Sequence, residues 1–315
     1  MVAPAGRGIV VPQPAPTTSE YRASLPAIWS ALIAVYLIWG STYLAIRYAV
    51  ETMPPFLMAA ARFIVSGGFL YALRRFGGDS RPKAVEWRSA AIIGVFLLVG
   101  GNGGVVWAEQ FVTSSLAALL VATVPLWMVL IDAFRPAGHR PGFMAIAGIL
   151  IGFSGVVLLI RSVASSGEAT HLPGAAALIL AALAWSIGSL YGRNARLPPS
   201  QLLGTAMEML AGGIALMLVA TVLGEWSNFD IATVSRRSAL ALLYLTVIGS
   251  SAFVAYVWLL RVAPTPLVAT YAYVNPLVAV LLGYFLAQEP MTVRTLLAAS
   301  LIIGSVALVS RPPSR

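Results

Sequence analysis

VVWAEQFVTSSLAALLVATVP (residues 105–125) and YVWLLRVAPTPLVATYAYVNP (residues 256–276) are two passages of one chain that share a frame. Trp107 and Trp258 stand 151 residues apart, as do Ala118 and Ala269, and Pro125 and Pro276. Earlier in the chain, Trp39 and Trp185 each precede a double proline, Pro54-Pro55 and Pro198-Pro199. Each double proline is followed by a double glycine, Gly67-Gly68 and Gly212-Gly213. One matched proline means little, but ordered landmarks along the whole chain indicate a duplicated unit.

The composition says what kind of unit this is. The 315 residues are 59% hydrophobic and only 10% charged, with a mean hydropathy of +0.87. Soluble domains carry about 25% charged residues, so the chain reads as an all-α integral membrane protein. The net charge of +9 does not point to nucleic acid, because the arginines lie between apolar runs and form no basic face. With no cysteine there is no disulfide, thiolate metal site or cysteine nucleophile. His139 and His171 fall in predicted loops without a carboxylate cluster, so neither a metal nor a cofactor is implied. No charged n-region with an apolar h-region opens the sequence. Residues 1–24, with Pro4, Pro12, Pro14 and Pro16, read as a disordered tail.

Hydropathy predicts ten spans, over 27–46, 55–73, 89–108, 113–131, 141–160, 173–192, 200–223, 239–260, 265–287 and 294–310. A helix needs about 20 apolar residues to cross a hydrocarbon core of roughly 30 Å. No period-2 pattern suggests a barrel, and helices satisfy their own backbone in lipid. With a cytoplasmic N-terminus, fourteen Lys and Arg fall inside and five outside, so the basic bias predicts both termini in the cytoplasm.

Five crossings per unit is an odd number, so the second unit must run upside down relative to the first. The expected architecture is two inverted five-helix repeats, residues 25–161 and 173–310, around a central cavity. Inverted repeats recur in transporters, with the solute site near the midplane where the repeats meet.

The stretches AVYLIWGSTYLAIR (34–47), PPFLMAAARFIVSG (54–67), SLAALLVATVPLW (115–127), TYAYVNPLVAVLLG (270–283) and AQEPMTVRTLLAASLIIGSVAL (287–308) resemble the ten-helix, EamA-type branch of the drug/metabolite transporter superfamily. The resemblance covers both halves. It implies a basket of helices, alternating access, and export or facilitated passage of amino acids and related metabolites, aromatic ones included. The solute itself does not follow from a fold.

Aromatic residues in the expected cavity-lining spans are Trp39, Tyr43, Trp107, Trp185, Tyr256, Trp258, Tyr271 and Tyr273. Tryptophan often marks membrane interfaces, but Trp39 and Trp185 lie about a dozen residues inside their spans and suit stacking on a planar or apolar solute. The resemblance also makes them plausible cavity residues. Gly100, Gly101, Gly103 and Gly104 flank Asn102 within an apolar span. Such glycines permit close helix packing or a loosened backbone beside a cavity, and the two coexist. Pro125 and Pro276 fall near the centres of the fourth and ninth spans, where paired kinks would form a hinge or a fixed cavity wall, and Asn275 precedes one of them.

Intramembrane charges are costly. Arg62 and Glu208 lie well within spans, but at about 1.5 Å rise per residue they are offset in depth by roughly 8 Å, so separate partners are expected. Arg62 reads as structural. Glu109 is expected at an external span edge. Glu208 or Glu109 would carry a proton if transport is proton-coupled, but neither stands centrally with a second carboxylate, and passive facilitation is preferred. Gly148 and Gly152 form a GxxxG that suits packing within the bundle better than dimerisation. The expected partners are a small solute and the lipid bilayer, with a monomer or weak homodimer. A drug or sugar-like solute is the alternative within transport. A membrane enzyme lacks a cluster of acid, base and nucleophile, and a channel would show flux without saturation.

Overall fold

The computed structural model describes residues 24–134, 142–164, 171–227, 229–263, 265–268 and 270–309. The expected tail therefore lies almost wholly outside the described residues, as does His139. Every element among the described residues is helical. In chain order they are α1 (Leu25–Ala49), α2 (Pro55–Phe76), α3 (Ala84–Gly94), a π-helical segment (Val95–Gly103) and α4 (Gly104–Ala108). Then come α5 (Ser114–Val121), α6 (Val124–Phe134), α7 (Phe143–Ala164), α8 (His171–Gly192) and α9 (Gln201–Val222). After a 3₁₀ turn (Ile231–Thr233) follow α10 (Arg236–Tyr244), a second π segment (Leu245–Gly249), α11 (Ser250–Val262), α12 (Thr265–Val268), α13 (Tyr271–Ala287) and α14 (Val293–Val309).

Among the described residues, seven helices are long and apolar enough to cross a membrane: Leu25–Ala49, Pro55–Phe76, Ala84–Ala108, Ser114–Phe134, Leu172–Gly192, Gln201–Val222 and Arg236–Tyr256. Three shorter apolar helices, Phe143–Leu159, Val274–Ala287 and Val293–Leu308, accompany them. The outward surface is apolar too. Phe69, Phe76, Leu150 and Val222 stand exposed, as side chains facing hydrocarbon do. The protein is an all-helical membrane protein.

Small residues decide how closely the helices approach. α9 runs antiparallel to α2: Gly67 meets Ala206, Met209 and Leu210, while Gly213 meets Phe63 and Ile64. On its other side α9 presses against α3, where Gly94 faces the Glu208 carbonyl and Gly212. α14 lies antiparallel on α7, with Gly152 against Ser305 and Leu126 and Gly155 against Ala298, Leu301 and Ile302. α1 and α13 run alongside each other in the same direction. Gly40 meets Val278, and the Tyr36 and Thr270 hydroxyls are hydrogen bonded.

Carboxylates close several helix ends, where four backbone N–H groups lack partners. Glu225, beyond α9, accepts from the Phe56 and Leu57 amides at 3.3 and 2.8 Å, at the start of α2. At the opposite end of that pair Asp79, beyond α2, accepts from Ser200, the N-cap of α9. Asp79 also takes two bonds from Arg74, at 2.9 and 2.8 Å. The Arg74 and Ser200 hydrogen bonds hold its carboxyl below the usual range.

The two prolines behave differently. Pro276 lies inside the continuous helix α13, as expected. Pro125 does not kink a helix interior: a two-residue break at Ala122-Thr123 separates α5 from α6, and Pro125 is the second residue of the new helix. That placement leaves its missing N–H without cost, since the first turn has no intrahelical partner for it.

A methyl group at position 94 would sit 2.6 Å from the Glu208 carbonyl oxygen and 2.8 Å from the Gly212 amide nitrogen. Backbone cannot yield as a side-chain tip can, so Gly94→Ala is expected to cost about 1–3 kcal/mol and lower the Tm in detergent. Gly304→Ala, whose methyl would meet nothing within 4 Å, should not lower it.

Candidate functional site

The first π segment answers why glycines crowd an apolar span. A π-helical stretch is a widened turn that occurs frequently at functional sites. Here it carries the glycines onto α8: added Cβ atoms would lie 2.7 Å from Ala184 at Gly100, 2.8 Å from Trp185 at Gly101 and 2.9 Å from Ala181 at Gly104. Gly103 faces the other way, toward Leu216 and Phe56. Close packing and a loosened backbone thus occur together. The widened turn directs Asn102 into a cavity.

That cavity encloses about 940 Å³ of atom-free space, its open side included. Its walls are Trp39 and Tyr43 of α1, Arg62 and Phe63 of α2, and Gly101 and Asn102 of the π segment. The break between α5 and α6 contributes Val121, Ala122 and Val124, α8 contributes Trp185, and Phe253 of α11 faces Tyr271, Asn275 and Pro276 of α13. The break matters because residues outside regular helix can turn toward a cavity that lipid would not tolerate.

One wall is aromatic. Trp39 packs against Tyr256 at 4.9 Å between ring centroids, Tyr271 at 5.3 Å edge-on, and Phe253 at 6.0 Å. Tyr256 stands behind this wall, against Tyr271 at 5.5 Å. Its contribution is to hold the front rings, not to line the cavity.

The polar groups are few. Arg62 is 6% exposed and its guanidinium lies 4.8 Å from the Phe63 ring centroid. Its Nε has no hydrogen-bond partner. Gly249, at the end of the second π segment, leaves the room it needs: a Cβ there would stand 3.1 Å from Nη2. The side-chain oxygens of Asn102 and Asn275 are likewise buried without partners. Among the described lining residues Arg62 is the one cation, and no carboxylate joins it. No group of three metal-ligating side chains occurs among the described residues.

The sequence-predicted site residues therefore divide. Trp39, Tyr43, Asn102, Trp185, Tyr271 and Asn275 come together, with Gly101 and Pro276. Trp107 does not join them; it pairs edge-on with Phe111 at 5.0 Å. Trp258 packs beside the small core of Leu32, Val35 and Leu259. The Tyr273 side chain lies outside the described residues. Arg62, expected as structural, lines the cavity. Glu208 lies outside the lining and makes no ion pair with Arg62. Glu109 stands at a span edge, directly after Ala108, and is wholly buried there.

Phe63, Val121, Ala122 and Phe253 were not anticipated. The repeat offset held the signal for Phe253, which stands 151 residues beyond Asn102. Val121 and Ala272, Val124 and Asn275, and the tryptophan pair Trp39 and Trp185 also line the cavity from matched positions.

The EamA-like transporter family matches residues 26–161 and again 172–311. The chain belongs to that family. It is 40% identical over 294 residues to the inner membrane transporter YedA of Escherichia coli (strain K12), covering 92% of each chain. It is 21% identical to the transporter YoaV of Bacillus subtilis (strain 168), covering 86% of this chain and 92% of that one. A solved crystal structure superposes with a TM-score of 0.63 at 24% identity, covering 91% of this chain and 98% of the other, which shows a shared fold.

Trp39→Ala removes the hub of the aromatic wall, and Trp185→Ala removes the ring that faces Gly101. Each is expected to reduce solute flux in proteoliposomes while the protein still elutes as a folded species in size-exclusion chromatography. Unchanged kinetics in both variants would remove these rings from the site.

Proposed function

We propose that the protein is an alternating-access carrier of the cytoplasmic membrane that exports, or lets pass, small metabolites, chiefly amino acids, aromatic ones included. In this reading the chain crosses the membrane ten times as two inverted five-helix units, residues 25–161 and 173–310, with both termini in the cytoplasm. The antiparallel pairing of α2 with α9 and of α7 with α14 supports inversion, since each pair joins corresponding helices of the two units. So do the two π segments, one in each unit. YedA's description as an inner membrane transporter supports the location. The remaining helices belong in such a bundle: α7, with 22 residues, is long enough to cross, while the 17 residues of α13 and of α14 rise about 26 Å at 1.5 Å per residue, a shortfall that local thinning of the bilayer accommodates.

The cavity carries the substrate reading. One unpaired guanidinium suits a carboxylate, which arginine binds through two parallel hydrogen bonds. The oxygens of Asn102 and Asn275 suit an ammonium group. The rings of Trp39, Tyr271 and Phe253 suit a planar or apolar side chain. A dianion would meet only one cation, and an organic cation would meet that same cation without a carboxylate to offset it.

Buried Gly148 and Gly152, the latter turned toward Leu126 and Ser305, support packing within one bundle, and with it a monomer or weak homodimer. The lipid bilayer is the other partner, and nucleic acid is none.

Counterflow in liposomes with a panel of amino acids tests the reading. Saturable uptake driven by preloaded unlabelled solute is expected for at least one member, and failure of every amino acid would remove the substrate class. A charge-assisted hydrogen bond contributes about 1.5–3 kcal/mol. Arg62→Gln should therefore raise the half-saturating concentration of that amino acid by roughly 10- to 100-fold. The variant should affect the corresponding amino-acid amide far less, because the amide lacks the carboxylate.

A further inference from the structure

Glu109 follows α4 directly, one residue beyond the span Ala84–Ala108. It is 0% exposed, and neither carboxyl oxygen has a hydrogen-bond partner. Its neighbours are committed elsewhere. Arg47, at the end of α1, donates through Nη1 to the Glu109 backbone carbonyl and, at 3.2 Å, to the Val112 carbonyl. Glu289 accepts from the Ser114 amide and hydroxyl, both at 2.8 Å, and from the Ser115 amide at 3.0 Å and the Ser115 hydroxyl. Tyr43, which lines the cavity, lies within electrostatic reach of Glu109. Among the described residues, Arg47, Tyr43 and Glu289 are the titratable or charged groups that act on this carboxyl.

We propose that Glu109 is a proton-binding site through which solute passage is coupled to a proton gradient. A buried carboxylate without donors is costly, so this conformation holds the carboxyl protonated. Burial, and then the nearby Glu289, push it well above the ordinary carboxyl range, while Arg47 opposes them. The ionised form requires a different arrangement, in which water or the Arg47 guanidinium reaches the carboxylate. Such a move would release the Glu109 and Val112 carbonyls, just beyond α4, from Arg47 at the end of α1, and α1 and α4 lead directly to the cavity, through Tyr43 and through the π segment. The proton thus has different free energies in two conformations, which is what coupling needs.

The step is simple in balance. Hydronium on one side protonates one carboxylate oxygen and becomes water, and the same O–H gives its proton to a water on the other side, which becomes hydronium, with no electron transferred. A proton fits better than sodium. A metal cation takes several oxygen ligands, and the carbonyls that could complete such a shell are already held by a guanidinium.

The inference rests on the carrier reading for its link to flux, so the test separates the two. Wild-type protein, Glu109→Gln and Glu109→Asp are reconstituted and assayed by counterflow at equal pH and by accumulation under an imposed pH gradient. The expected result is that wild type and Glu109→Asp concentrate solute under the gradient, whereas Glu109→Gln equilibrates it without concentrating it and retains counterflow. Undiminished accumulation by Glu109→Gln, or wild-type counterflow with no response to the gradient, would overturn the coupling. An infrared difference spectrum between acid and alkaline buffer needs no solute. A protonated-carboxyl carbonyl stretch that Glu109→Gln abolishes is expected. Its absence from the wild-type protein would overturn the proton site even if no amino acid shows counterflow. Replacing sodium by potassium should leave accumulation unchanged, and dependence on sodium would overturn the choice of proton.

Discussion

Backbone-to-backbone approach at α9 is the constraint on which the rest of the bundle depends. Lipid gives apolar side chains little reason to prefer one another over hydrocarbon, so packing must come from fit. Gly67 and Gly94 receive α9 from two sides, and Gly212 and Gly213 return the contact from α9 itself. This clamp fixes α2 and α3, and with them Arg62 and the π segment that carries Asn102. The cavity is therefore bounded by elements whose spacing glycine sets. A larger residue at any of these contacts would move a wall, not simply crowd a neighbour.

The chain has eleven acidic residues, and most of those described have a structural task. Glu86 accepts from the Lys83 amide at 2.7 Å, Asp230 from the Ala232 amide at 2.9 Å, and Glu51 pairs with Arg237 at 3.5 Å. Glu225 and Glu289 close the starts of α2 and α5 from elsewhere in the chain. Glu289 can reach α5 because Gln288, a non-glycine residue in the left-handed region at φ 53°, turns the chain back at the end of α13. Against that pattern Glu109 stands out. A carboxyl that caps nothing and pairs with nothing, yet is buried more deeply than those that do, stabilises the fold poorly as an anion.

Much of the fold was legible because membrane burial writes itself in length and apolarity. The expected spans 55–73 and 200–223 correspond to Pro55–Phe76 and Gln201–Val222, and 89–108 to the run that ends at Ala108. The cavity was legible where a polar or aromatic side chain interrupts such a run, as at Trp39, Asn102 and Asn275. It was less legible where ordinary apolar residues do the lining. Phe63, Val121 and Phe253 look like any lipid-facing or core residue, and only their partners across the bundle assign them. Trp107 misled for the converse reason. An aromatic near a helix end suits an interface or a pocket equally, and its pairing with Phe111 was invisible in the spacing. Glu109 was legible as a span-edge charge, but its burial was not. The groups that act on it, Arg47 of α1 and Glu289 beyond α13, are distant in sequence.

The differences between the halves are as informative as the likeness. Asn102 faces the cavity from one half, and its counterpart is Phe253; Asn275 faces it from the other, and its counterpart is Val124. Each half thus offers one amide and one apolar residue, at exchanged positions. A symmetric ancestor would place like groups opposite each other and bind a symmetric solute best. Exchanged chemistry across a shared frame instead builds a cavity whose amide and apolar groups are not related by the repeat. Arg62 adds its charge from the first half alone. In the proposed function such a cavity would distinguish the two ends of a solute, as binding a zwitterion with an apolar side chain requires. In the proposed carrier the duplicated scaffold would supply two similar packings, and the unmatched side chains would decide what is carried between them.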